Sequence, residues 1–339
     1  MRSQPLRVSE ADLVATGSLD GGDPLPLVIS ARVPGLDLAD WGADQRDFVD
    51  ARLLEHGAIL MRGFAVGSVE RFEAFARALA GDLLDYKERA APRIAVKEKV
   101  FTSTEFPADQ TIPLHHEMSY SHNWPSRIWF YCAEPSPSGG RTPIASDRRV
   151  FEELDGAIKA RFMAKKVMYV RNYGEGVDLP WEEAFQTDDP AVVEEYCRAS
   201  RTTCEWRDAN RLRTRAVRQA VAVHPRTGDT VWFNHAHLFH PSSLPAAVRD
   251  ALLGSFAEDD LPRNVFYGDG SPIPSSVVEE IRAVYDQAAV RFSWEAQDVL
   301  LVDNFLVSHG REPYEGPRRV LVAMADLFTS PEDWSTPAS

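Results

Sequence analysis

Residues 114–120 read Leu-His-His-Glu-Met-Ser-Tyr, and within them His115 and Glu117 stand two positions apart. In an extended segment residues at that spacing project from one face, so an imidazole and a carboxylate can reach the same ion. Two histidines and one carboxylate on one face of an octahedron leave three positions open, the arrangement of non-haem iron(II) oxygenases. The HxE pair alone arises often by chance, and a third ligand must come from elsewhere. Leu301–Arg311 offers one: an apolar run that ends in His309 at a tight turn, followed ten residues later by Arg319. A strand entering at Arg319 would run back beside the one ending at His309 and set a cationic fork one side-chain length from the metal. That separation suits a dicarboxylate that chelates the metal at one end and forms an ion pair at the other, and 2-oxoglutarate has that shape.

A second histidine group is His235, His237 and His240, whose HxH spacing could chelate zinc or copper. No later carboxylate or thiolate frames it, so these are expected to be polar residues packed near the pocket. His116 and His122 are expected to face away from the metal. Arg207, Arg211, Arg213, Arg215 and Arg218 put five cations into twelve residues. A solvated surface is the ordinary reading of such a run, and a dock for an acidic carrier protein is the functional one.

The elements that must position these groups follow from periodicity. Phe48, Val49, Ala51, Leu53 and Leu54 recur at helical spacing before Gly57, a strand AILMRGF comes next, and Ser68 can cap a second helix. Phe72, Phe75, Ala76 and Leu79 stripe that helix and Gly81 closes it, placing N-terminal helices over about residues 38–81. From about residue 94 short β-type runs lie between Pro and Gly, at 127–133, 141–145, 165–173, 230–234, 298–309 and 319–326. In the last run Val320, Val322 and Met324 alternate with Leu321, Ala323 and Ala325, so both faces are apolar. Residues 174–220 and 275–290 read as helical and charged. Such a chain is mainly β with flanking helices, closed or double-sheeted, and the jelly roll is one such architecture. No linker divides it, so residues 1–339 are read as one domain with a core over about 94–326 and a helical insertion over about 174–220.

The formal charge of −14 disfavours a nucleic-acid partner, which needs clustered cations. No run approaches the roughly 18–20 apolar residues that cross a bilayer, and the start has no apolar leader segment, so a cytoplasmic location is expected. Cys132, Cys197 and Cys204 are an odd number without a CxxC pair, which points to reduced thiols.

His115-x-Glu117, Gly139-Gly-Arg-Thr142-Pro, Asp303-Asn304, His309-Gly-Arg311 and Gly316-Pro-Arg-Arg319-Val, in this order over about residues 100–326, resemble the taurine dioxygenase and clavaminate synthase superfamily. Thr102-Ser-Thr-Glu105, Glu117-Met-Ser-Tyr120, Tyr169-Val-Arg-Asn-Tyr173 and Val231-Trp-Phe-Asn234 are similar to its clavaminate-synthase-like branch, which includes amino-acid β-hydroxylases of nonribosomal peptide pathways. The resemblance implies a double-stranded β-helix, the jelly roll, with Fe(II), 2-oxoglutarate and O2 as cofactor and co-substrates. It makes His115, Glu117 and His309 the iron ligands. Arg319 would grip the distal carboxylate of 2-oxoglutarate, with Thr142 hydrogen-bonding it and Arg318 as the adjacent alternative. Related halogenases replace the carboxylate ligand with a small residue, so the presence of Glu117 implies hydroxylation or another oxidation. Gln297 departs from the Gly that relatives commonly carry there. Ala323, four residues beyond Arg319, stands where taurine-type relatives have an Arg for the sulfonate.

The family's topology would bring Tyr86, Arg89, Arg93, Glu105, Asn172, Tyr173 and Asn234 to the pocket mouth as substrate-orienting groups. For an amino acid, Glu105 would take the ammonium and an Arg the carboxylate. The expected function is hydroxylation of an amino acid or amino-acid-derived metabolite, free or held on an acyl or peptidyl carrier protein, in natural-product biosynthesis. Oxygenation of another small carboxylate or sulfonate is the second expectation. A cupin-like metabolite-binding protein without turnover is the third.

Overall fold

Arg46–His56 is helical and ends at Gly57, whose φ of 77° is the left-handed turn that a residue without a Cβ accepts at no steric cost. The computed structural model describes residues 13–19, 22, 24–84, 95–97, 99–102, 106–174, 180–208 and 210–331. The Ser68 hydroxyl accepts from the Arg71 backbone N–H and starts the helix Val69–Ala80, which buries Phe72, Phe75, Ala76 and Leu79. Both N-terminal helices lie where the periodicity puts them.

The strands in chain order begin β1 (Val14–Gly17), β2 (Leu27–Ala31), β3 (Ala58–Arg62), β4 (Ala95–Lys97), β5 (Val100–Thr102), β6 (Ile112–His115) and β7 (Asn123–Glu134). They continue as β8 (Ser138–Gly139), β9 (Thr142–Ser146), β10 (Val167–Tyr173), β11 (Thr203–Trp206), β12 (Leu212–Arg218), β13 (Val221–Val223) and β14 (Thr230–Trp232). The last are β15 (Arg263–Tyr267), β16 (Val290–Phe292), β17 (Val299–Asp303), β18 (Val307–Arg311), β19 (Tyr314–Glu315) and β20 (Arg319–Thr329). A large sheet runs β1-β2-β3-β17-β7-β20-β5-β4, a smaller one β16-β9-β18-β6, and a third β11-β12-β10-β15.

Alternation along the strands divides the apolar residues between two layers. Phe130, Cys132, Leu300, Val302, Val320, Val322 and Met324 of the large sheet share one core with Ile144, Phe292 and Val307 of the small sheet. Their strand neighbours Trp129, Tyr131, Val299, Leu301, Leu321, Ala323 and Ala325 pack the other way, on the N-terminal helices. The helices Asp147–Glu153, Gly156–Lys165 and Ser275–Ala288 build a further core with Leu114 and Ala145 of the small sheet. Face-to-face sheets flanked by helices are the expected jelly roll.

Two expectations change. Among the described residues of the 174–220 stretch, helix occupies Trp181–Phe185 and Pro190–Ala199, and β11 and β12 pair antiparallel beyond it. The arginines at 211, 213 and 215 already alternate with the period of a strand, which their charge disguises. Nor do His309 and Arg319 share a hairpin. β18 pairs with β9 and β6, whereas β20 pairs with β7 and β5 in the opposite sheet. The turn Asn304–Leu306 carries the chain from one sheet to the other, with Asp303 Oδ1 accepting the N–H of Phe305.

Among the described residues no helix is long and apolar enough to cross a membrane.

Candidate active site

β6 and β18 are neighbours in the small sheet, and their register sets His115 directly opposite His309. The two rings lie 4.6 Å apart between centroids. Glu117 sits just past the end of β6, and one ligand atom from each of His115, Glu117 and His309 falls within 4.8 Å of the others. A single ion can therefore be reached by all three. Gly310 allows this closeness, because a Cβ there would sit 2.6 Å from the Ile112 carbonyl oxygen on β6.

The residues around the ligands fix their aim. His115 Nδ1 lies 2.9 Å from the Pro113 carbonyl; as donor to it, the ring presents the lone pair of Nε2. Asn304 is fully buried, and its Oδ1 accepts the Glu117 N–H at 2.8 Å while its Nδ2 donates to the Glu117 and Pro125 carbonyls. This amide holds the peptide of Glu117 from both sides, just before Met118 turns into the left-handed region at φ 62°. The motif Asp303-Asn304 was visible in the sequence, but its partner 187 positions away was not.

β6 is an edge strand of the small sheet. Where a further strand would pair, the HxH histidines stand instead. His237 Nε2 lies 2.8 Å from the Leu114 carbonyl and His235 Nε2 lies 2.7 Å from that of His116. Burial pushes His237 down to about 3 and His235 well below the usual imidazole value, so both are neutral and donate one N–H. They support the HxE segment, as the packing reading expected. His116 points away from His115, with Nε2 2.9 Å from Asp147 inside the protein.

A small cavity opens beside the ligand group, lined by His115, His309, Thr142, Trp294, Arg311 and Arg318. Thr142 is buried on β9, and its hydroxyl accepts from Trp294 Nε1 at 2.8 Å. Two guanidinium groups, Arg311 and Arg318, line this cavity, and Arg319, expected to grip the co-substrate, is not among its lining residues. Strand alternation is the reason. Val320, Val322 and Met324 face the inter-sheet core, so Arg318 shares their side and Arg319 lies on the other, exposed. Arg318 Nε is buried with no hydrogen-bond partner among the described residues. Burial, with Arg311 adding like-charge repulsion, pulls its guanidinium down to about 10. A half-buried guanidinium of this kind, 5.5 Å from the Tyr314 ring centroid and with its Nε–H unpartnered, is complementary to an incoming carboxylate. Arg311 also has a buried Nε without a partner among the described residues, but its terminal nitrogens donate to carbonyls of Phe106, Pro107 and Gln110 and strap the segment that leads into β6.

The expected substrate-orienting groups fare unevenly. Asn172 donates to the Asp259 and Leu261 carbonyls and accepts from Arg213, and Asn234 donates to Ala220 and accepts from the Ala236 N–H. Both amides are engaged within the protein, Asn234 with backbone groups and Asn172 with two carbonyls and the Arg213 side chain. Tyr173 lines a second cavity, on the third sheet, whose lining includes none of the candidate metal ligands. Tyr86, Arg89, Arg93 and Glu105 lie outside the described residues. Gln297 adopts φ 74°, the conformation Gly would supply, and its Oε1 accepts the N–H groups of Val66 and Gly67. The turn is thus kept and latched to the loop after β3.

Residues 22–324 match the family described as taurine catabolism dioxygenase TauD, TfdA. The chain belongs to this family of dioxygenases, which use Fe(II), 2-oxoglutarate and O2. Among individual proteins it is 43% identical, over 84% of its length and 87% of the relative's, to the dapdiamide synthesis protein DdaC of Enterobacter agglomerans. It is 32% identical to a clavaminate synthase-like protein of Arabidopsis thaliana, over 89% of this chain and 93% of that one. In fold it is similar to PvcB of Pseudomonas aeruginosa, with a TM-score of 0.55 at 16% identity, covering 95% of this chain and 94% of that one. AAD-2, solved with Mn(II) and N-oxalylglycine, shares the fold at a TM-score of 0.54 and 14% identity, covering 94% and 98%.

Proposed function

We propose that the protein hydroxylates an amino acid or amino-acid-derived metabolite in natural-product assembly, holding iron through His115, Glu117 and His309. The observation that carries this is the convergence of the three ligand atoms within 4.8 Å beside a cavity holding Thr142 and Arg318. The bound iron and co-substrate supply the oxidising power for a C–H bond. The chain's part is positioning. Asn304 and Pro113 orient two of the ligands, Arg318 receives the distal carboxylate of 2-oxoglutarate, and the Thr142 hydroxyl, already an acceptor from Trp294, donates its proton to that carboxylate.

The relationship to a dapdiamide synthesis protein supports natural-product assembly. A sulfonate substrate is less well supported. With Arg318 as the inward cation, the residue four positions on is Val322, which is as apolar as Ala323 and packs in the inter-sheet core. A free metabolite is also the simpler reading than a carrier-bound one. Arg207 and Arg215 pair with Glu205, Arg211 with Asp208 and Arg213 with Asp260, so four of the five cations of that run have a carboxylate partner within the chain. An anaerobic titration tests the proposal. Fe(II) with 2-oxoglutarate should give a visible charge-transfer band, and His115→Ala should lose it. No band in the wild-type protein refutes the iron site. Succinate release, screened against free and carrier-bound amino acids, then identifies the substrate.

A further inference from the structure

Asp147, the first residue of the helix Asp147–Glu153, is fully buried. A carboxyl group taken out of water is costly unless partners meet it. Three do, and they come from three elements. His116 Nε2, just past β6, lies 2.9 Å from Oδ2. The Tyr285 hydroxyl, on the helix Ser275–Ala288, donates to Oδ1 at 3.0 Å. Burial pushes the Asp147 carboxyl up, and His116, Tyr285 and the Ser308 backbone N–H of β18 oppose that push. The Asp147 N–H in turn donates to the Leu306 carbonyl, just ahead of β18, at 2.9 Å.

Two of these partners are chain neighbours of the candidate ligands: His116 follows His115, and Ser308 precedes His309. Successive side chains of an extended segment point to opposite faces. His115 and His309 accordingly line the small cavity, while His116 turns to Asp147 on the side where Leu114 and Ala145 pack against the helices. A single side chain thus holds the backs of both histidine-bearing segments. Little else fixes their spacing. The ladder between β6 and β18 pairs His115 with His309 and Ile112 with Arg311, with an irregularity between them, and β6 has no strand on its other side. Asp147 itself is anchored by β9, whose register sets Ser146 opposite Val307 and Ala145 opposite Ser308.

We propose that Asp147 is a positioning residue for the metal: through His116 on one side and the first residues of β18 on the other, it sets the separation and aim of His115 and His309. This role rests on the iron site proposed above and lies outside its ligand set. A carboxylate that served the fold alone would lower stability when lost and leave the metal geometry of the folded protein as it was.

Co(II) binding to the full chain separates the two. The wild-type protein should bind Co(II) with visible d–d bands that His115→Ala loses. Asp147→Asn keeps the shape of the side chain and should weaken Co(II) binding about tenfold or more, read by competition with a chelating dye, and shift the bands. Val150→Ala, three residues on in the same helix, trims a fully buried apolar side chain. It should lower the urea midpoint while Co(II) affinity stays within about twofold of wild type. Should Asp147→Asn not fold, His116→Phe, which keeps a ring against Phe233 and has no nitrogen to meet Asp147, should show the same loss and the same shift. Wild-type affinity with unshifted bands in Asp147→Asn, or failing it in His116→Phe, overturns the proposal, as does an equal loss in Val150→Ala. Wild-type protein without the bands would instead remove the iron site itself, and this role with it.

Discussion

Arg318 brings a charge into a space where burial makes it costly and where no described residue relieves its Nε. Removing one partner of a desolvated, hydrogen-bonded charge pair costs about 2–5 kcal/mol. Arg318→Met should therefore weaken 2-oxoglutarate binding by roughly 30-fold or more, whereas Arg319→Met, on the exposed side, should change it less than about twofold. Titration of the charge-transfer band reads both, and equal losses would place the co-substrate elsewhere. This assignment was half-legible in the sequence. The pair of arginines after Gly316 was plain, but the strand that follows is apolar on both faces, so its phase could not be read. Asn304 makes a second case at this scale. Residues that orient metal ligands commonly cost 10–100-fold in metal affinity when lost. Asn304→Ala should weaken Fe(II) or Co(II) binding within that range, measured by competition with a chelating dye, and Asn304→Gln should not restore it because the longer side chain misplaces both contacts.

β6 is short, lies at a sheet edge and leads into the proposed metal-binding segment, so its outer carbonyls need donors. His235 and His237 provide them as neutral rings. The folded protein holds His237 at about 3, while the unfolded chain protonates near 6.5. Between these values the unfolded state binds the extra proton, so stability is complete above about pH 6.5 and falls as the pH drops toward 3, by up to about 1.4 kcal/mol per pH unit for this one residue. His237→Asn, which retains an N–H donor without a titrating ring, should flatten the acid limb of a urea-midpoint against pH curve. An unchanged limb would mean that the ring is not the source. Much at this scale was written in local patterns. Gly57, Ser68 and Gly81 bound the N-terminal helices where periodicity puts them, and strands occupy all six apolar runs. Two things were not legible. The arginines of β12 hide its alternation, and the choice of sheet for β18 and β20 depends on a crossing at Asn304–Leu306 that no local spacing encodes.

Across the whole molecule the inter-sheet core converges on that crossing. Phe305 is fully buried, stacked on Phe233 at 5.4 Å and edge-on to Trp124 and Phe328. Phe305→Ala should cost about 3–5 kcal/mol of stability through the cavity it leaves, seen as a lowered denaturant midpoint. A loss under about 1 kcal/mol would show that the crossing is not anchored there. The same geometry divides the chemistry. The histidines stand on one sheet and Arg318 leads into a strand of the other, so iron and 2-oxoglutarate held at the proposed site would rivet the two halves of the sandwich. A ligand at 100 times its dissociation constant stabilises the folded state by about 2.7 kcal/mol, which is enough to change how long a marginal protein survives proteases. The amount of this enzyme that persists in a cell should then follow the supply of iron and of a central carbon metabolite, with starvation for either shortening its lifetime before any gene responds.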